Sequence, residues 1–153
     1  MFISYSWVPA ANKQWVAELA ARLRTSDSID VMLDQWEVVP GDQVPHFMEK
    51  AVSDSDFVLI VCTPRYRERS DGRRGGIGYD GDILTARVFK GESRRKFIPL
   101  LRGEPDESVP TWLLGSDILN FRGRSYPLAS YTRLVRALKG TLPKAPPLGV
   151  KKK

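Results

Sequence analysis

Residues 57–62 read Phe-Val-Leu-Ile-Val-Cys, six apolar positions with no polar break. An amphipathic helix or a half-exposed strand would interrupt such a run. Unbroken β-branched and aliphatic sequence of this length predicts a strand covered on both faces. A strand of that kind sits in a parallel sheet flanked by helices, so the run alone points to an α/β layer structure.

The rest of the chain supplies the alternation that such a sheet needs. Met1-Phe2-Ile3 reads as a first, apolar strand that empties into the cluster Ser4-Tyr5-Ser6-Trp7, with Pro9 closing the segment. Asn12 is a candidate N-cap for a helix to about Arg24, where Trp15, Leu19 and Leu23 recur at helical spacing. Ile29 to Leu33 predicts a second strand, ending at Asp34-Gln35-Trp36. Pro40-Gly41 predicts a turn within the loop Val38 to Asp42. A helix over about Val44 to Ser53 precedes the apolar run.

Beyond that run, Arg65 to Gly78 is charged and glycine-rich, and reads as a long surface loop. A helix is predicted from near Tyr79, carrying Ile83, Leu84 and Val88. Phe97 to Leu101 and Ile118 to Phe121 read as the fourth and fifth strands. Ser130 is a candidate cap for a last helix bearing Leu134, Val135 and Leu138. The order predicts a flavodoxin-like doubly wound sheet of five parallel strands, order 2-1-3-4-5, with helices on both faces. Residues 1–140 form one domain on this reading. Residues 141–153, rich in proline and lysine, form a mobile tail or a linker to a further domain.

Bulk properties remove several function classes. No apolar run approaches the roughly 20 residues that span a bilayer, and polar residues arrive too early for a secretory signal. Cys62 is the one cysteine and His46 the one histidine, which disfavours a disulfide or a structural zinc site and is compatible with a reducing cytosol. The net charge of +6 is scattered over short clusters such as Arg73-Arg74 and Arg94-Arg95-Lys96, which reads as solvated surface rather than a nucleic-acid groove. Gly75-Gly76 and Gly78 are not followed by the lysine and Ser/Thr of a phosphate loop.

Four segments carry a family resemblance: Phe2-Ile3-Ser4-Tyr5-Ser6; Leu33-Asp34-Gln35-Trp36 with Pro40-Gly41-Asp42; Ser55 to Pro64; and Gly75-Gly76-Ile77-Gly78-Tyr79-Asp80. In this order and spacing they resemble a TIR domain of the bacterial branch close to SEFIR domains, over roughly residues 1–140. The resemblance implies one of two functions. TIR domains either cleave the nicotinamide–ribose bond of NAD or act as adaptors that associate with other TIR domains. It further implies a cytoplasmic protein in bacterial antiphage defence or signalling, activated by self-assembly through the "BB" loop of Pro40, Gly41 and Asp42, with a sensor domain or partner protein supplying the trigger. NAD is then a substrate, with no resident cofactor or metal and no direct contact with nucleic acid or membrane.

Cleaving an N-glycosidic bond to nicotinamide generates an oxocarbenium-like ribose. The leaving group departs as a neutral pyridine and needs no proton. One carboxylate beside the sugar therefore does most of the work electrostatically. The resemblance places that carboxylate at Asp80, where the family's enzymes carry glutamate; aspartate is one methylene shorter, or about 1.5 Å. Asp82 is an alternative, although two helical positions turn it about 200° away. The plain reading of Asp80 is a carboxylate at a helix start.

Tyr5, Ser6 and Trp7 are candidates for the pocket floor, with the two hydroxyls toward ribose; Trp7 reads equally as a loop anchor. Asp34 ends the second strand and joins the candidate substrate-binding set. Trp36 is either a stacking platform for a base or the packing residue of the BB loop. Tyr79 either contacts substrate or packs on the third strand, and Cys62 reads as a small core residue.

Overall fold

The structure, a computed structural model, describes residues 1–72, 79–80, 83–86 and 91–149. Its centre is a parallel sheet of β1 (Phe2–Ser4), β2 (Val58–Cys62), β5 (Phe97–Leu101) and β6 (Leu119–Asn120), paired in that order. Every residue of β2 is buried, as expected of a strand with helices on both sides. The second strand expected at Ile29–Leu33 is reduced to one parallel bridge, Phe2 to Met32. Met32 receives a bond at its carbonyl from the Ile3 N–H and donates its own N–H to Met1, and at Asp34 the chain has already turned into a helix. Among the described residues, four strands and a bridge thus stand in this sheet in place of five strands. With the bridge counted, the order is still 2-1-3-4-5.

Adjacent residues of β1 feed opposite faces of the sheet, as strand pleating requires. Ile3 and Tyr5 belong to a core shared with α1 (Ala10–Asp27) and α6 (Leu128–Lys139). Phe2 joins the other core, with α3 (Val44–Asp54), α4 (Pro64–Asp71) and a small hairpin of β3 (Tyr79–Asp80) and β4 (Ile83–Leu84). The helix at α2 (Asp34–Glu37) and the turn at α5 (Pro105–Ser108) complete the described elements that bear on the site.

Several expectations are corrected. The helix placed after Asn12 begins at Ala10, and Asn12 is buried within it, donating to the Ser6 carbonyl at 2.7 Å. It runs on to Asp27, where Ser28 closes it in the left-handed region. The expected loop from Arg65 contains α4 instead. Thr63 caps that helix by accepting from the Tyr66 N–H at 3.2 Å, and Pro64 fills its first turn, an arrangement that both residue types favour.

The helix expected from Tyr79 is replaced by the antiparallel pairing of Tyr79 with Leu84 and Asp80 with Ile83. The two residues between Asp80 and Ile83 read Gly-Asp, and a leading glycine in a two-residue connection favours a tight hairpin turn over a helix start. Val88, Asp82, Arg73-Arg74 and Gly75 to Gly78 lie outside the described residues. The last helix starts at Leu128, capped at Pro127, so Ser130 lies inside its first turn; it ends at Gly140, whose φ of 70° suits glycine.

Candidate functional site

The parallel strands share one carboxyl edge, and the chain reverses its winding between β1 and β2, where open α/β sheets gather ligands. Tyr5 to Trp7 leave β1 at this edge, Asp34 follows the Met32 bridge, and Thr63 follows β2. On one side the Tyr5 hydroxyl donates to Asp34 Oδ1 at 2.7 Å, and the Trp7 indole donates to Asp34 Oδ2 at 2.6 Å. Gln35 Nε2 donates to the Tyr5 hydroxyl at 2.8 Å and to the Lys13 carbonyl at 3.1 Å. Tyr5 and Asp34 are buried while Trp7 is 39% exposed, so the network runs from the core to the surface. Both Asp34 oxygens accept a hydrogen bond, which is what makes a buried carboxylate tolerable.

On the other side of the sheet, the Ser4 hydroxyl meets the Tyr66 hydroxyl at 2.8 Å. Tyr66 accepts from the Leu84 N–H at 3.2 Å, and Ser70 donates to the Leu84 carbonyl at 2.6 Å. These bonds fasten the β3–β4 hairpin, and with it the backbone of Tyr79 and Asp80, to the carboxyl end of β1. Sequence reading put Ser4 in the cluster at the end of the first strand without giving it a partner, and missed Gln35, Tyr66 and Ser70. The Thr63-Pro64 start signal would have located α4, but nothing local foretells bonds between residues dozens of positions apart.

The expected site residues divide accordingly. Tyr5, Trp7 and Asp34 meet in one network. Ser6 is fully buried and its hydroxyl donates to the Val8 carbonyl at 2.9 Å, shaping the loop after β1. Trp36 lies beside α1. Lys13 lies 5.9 Å from the Trp7 ring and Arg24 lies 6.0 Å from the Trp36 ring, and these two cations are eleven positions apart on α1, about 16 Å along its axis. Trp36 is 44% exposed.

Pro40 and Gly41 form a β-turn closed by the Asp42 N–H on the Val39 carbonyl at 3.0 Å. Gly41 has φ of 99°, the geometry that position requires in a type II turn. The Asp42 carboxylate accepts from the Val39 N–H at 3.0 Å and stiffens the loop. Cys62 is buried at the end of β2, and burial pushes its thiol up to about 12. Among the described residues no group of His, Cys, Asp and Glu side chains is arranged to hold a metal, and no helix is long and apolar enough to cross a membrane. A separate groove of about 870 Å³ opens at the opposite edge of the sheet, beside Phe57 and Phe97. It is remote from the carboxyl ends of the strands.

A doubly wound domain with a charged, aromatic carboxyl edge is the class that fold and site define. The TIR domain profile matches residues 1–135, and the chain belongs to that family. Among solved structures, a prokaryotic SEFIR domain is similar at 33% identity and a TM-score of 0.79, covering 90% of this chain and 96% of that one. The TIR domain of the Toll-related receptor TRR-2 from Hydra magnipapillata shares the fold at 16% identity and a TM-score of 0.65, over 90% of this chain and 96% of its own. No curated protein matches the chain in sequence.

Proposed function

We propose that this TIR domain is an NAD glycohydrolase that cleaves the nicotinamide–ribose bond, becomes active on self-assembly and serves bacterial defence or signalling. The observation that supports this reading most is the fastening of the β3–β4 hairpin to the end of β1 through Ser4, Tyr66 and Leu84. Through Leu84 the hairpin that carries Asp80 is tied to Ser4, the last residue of β1, which supports a place for the carboxylate near the strand ends where such sheets bind ligands. Asp80 supplies the negative charge that stabilises the developing oxocarbenium ion. Trp7, held by Asp34, offers an aromatic surface at the same edge, and Tyr79 precedes the acidic position. NAD is the substrate, the product is linear or cyclised ADP-ribose, and no cofactor takes part. The test is nicotinamide release by concentrated protein. Cleavage that Asp80→Ala abolishes supports the enzyme, whereas release that survives this change sinks the role of Asp80.

A second reading, a non-enzymatic module that recruits other TIR or SEFIR domains, is favoured by a different observation. Val8 is 51% exposed, Val39 57% and Trp36 44%, on the loop after β1 and around the Pro40–Gly41 turn. Exposed apolar side chains around a stiffened loop suit an interface. The similarity to a SEFIR domain fits this reading as well as the first. Absence of nicotinamide release even under forced clustering, together with self-association lost in Val39→Asp, supports the module.

A further inference from the structure

A pocket of about 390 Å³ lies outside the central crevice, between α1 and the loop that joins β6 to α6. Its walls include Trp15, Glu18 and Arg22 of α1 and Arg124, Ser125 and Tyr126 of the loop. The volume falls within the range of small-molecule sites. We propose that this pocket binds a nucleoside phosphate, a role that does not rest on the proposed glycohydrolase activity.

Two guanidinium groups and a hydroxyl in the lining supply donors for a phosphate. Arg22 is fixed in place: it donates to the Tyr126 hydroxyl at 2.9 Å and lies 3.7 Å from the centre of the Tyr131 ring. Tyr131 is itself held by donating to Asp27 at 2.5 Å. An arginine has five N–H donors, so Arg22 keeps most of its fork for a ligand while its position costs little further ordering. Among the described residues, the Arg124 guanidinium, the Ser125 hydroxyl and the backbone N–H groups of both residues have no hydrogen-bond partner. Charge-assisted bonds from such donors suit a phosphate better than a neutral ligand.

The rest of the lining is unsuited to a bare anion. Trp15 and Tyr126 are half-buried and meet edge to face at 6.0 Å, giving an aromatic wall. Arg102 backs that wall at 4.2 Å from the Trp15 ring, and its guanidinium is spent on the Phe121 and Gly123 carbonyls. Aromatic surface of this kind takes up a base. Glu18, whose described partner is Gln14 at 3.2 Å, is an acceptor that repels a second phosphate but matches sugar hydroxyls. Base, sugar and phosphate thus each have a chemically matched wall.

The experiment is isothermal titration of the full chain with AMP, adenosine and inorganic phosphate. AMP binds, and adenosine and phosphate each bind at least about tenfold more weakly, since each lacks one set of contacts. Arg124→Glu, an exposed substitution that threatens no described contact, weakens AMP by at least about tenfold and leaves any nicotinamide release by the chain unchanged. Phosphate binding as tightly as AMP, AMP failing to bind, or Arg124→Glu leaving AMP affinity unchanged would each overturn the proposal.

Discussion

Asp34 and the hairpin that carries Asp80 are held by the fold in different ways. Asp34 is buried, and both of its oxygens are taken by Tyr5 and Trp7 from the neighbouring loop. Asp80 stands on a two-residue strand that is anchored indirectly, through Leu84 on its partner strand. A carboxylate built into the fold this way stabilises the loops around it. On the proposed glycohydrolase reading, the carboxylate that works on the ribose is the one carried on the hairpin.

Breaking the first side has the largest expected effect on stability. Asp34→Ala removes the acceptor of the buried Tyr5 hydroxyl and of the Trp7 indole, and costs about 2–3 kcal/mol. Urea unfolding checks this through a lower midpoint at an unchanged slope; a loss under about 0.5 kcal/mol means that water replaces the carboxylate freely. On the second side, Tyr66→Phe costs about 1–2 kcal/mol, because it strips partners from Ser4 and the Leu84 N–H. Hydrogen exchange at Leu84 rises with it, while exchange in α1 does not.

Cys62 sharpens the comparison from beneath, since β2 supports both sides. Burial raises its native thiol to about 12, above an ordinary value near 9. The native state therefore keeps its proton at a pH where the unfolded chain loses it. The stabilisation is complete below about pH 9 and drains away as the pH climbs toward 12. Folding free energy measured from pH 8.5 to about 11 should fall less steeply in Cys62→Ala than in the parent chain. The smallest effect belongs to the Arg24–Asp30 ion pair, 3.1 Å apart at the surface. Arg24→Ala costs less than about 1 kcal/mol, and adding salt narrows the difference further.

What could be read from the sequence was whatever rests on periodicity. The apolar run at 57–62, the spacing of Leu19 and Leu23, and the stretch at Phe97 located β2, α1 and β5. Through them the winding of the sheet followed. The hairpin and α4 escaped for a different reason. Charge and glycine content between Arg65 and Gly78 outweighed two brief local signals, Thr63-Pro64 and Gly81-Asp82. The second strand shrank to a bridge because its pairing is settled by contacts with Met1 and Ile3, remote in sequence.

The candidate site divides in the same manner. Tyr5, Trp7 and Asp34 were picked out by their place at strand ends, and they do meet. Their mutual bonds span 27 and 29 residues, a separation that no local pattern encodes. Trp36 was picked out as a flat aromatic at a strand exit, and it lies 6.0 Å from the Arg24 guanidinium.

Nicotinamide release, measured side by side for the parent chain, Asp80→Glu and Asp80→Ala, tests the central claim most directly. If a carboxylate on the hairpin acts on the ribose, restoring the missing methylene raises turnover by up to about 100-fold, and removing the acid abolishes it. Equal release from all three proteins, or none from any of them under forced clustering, contradicts the account.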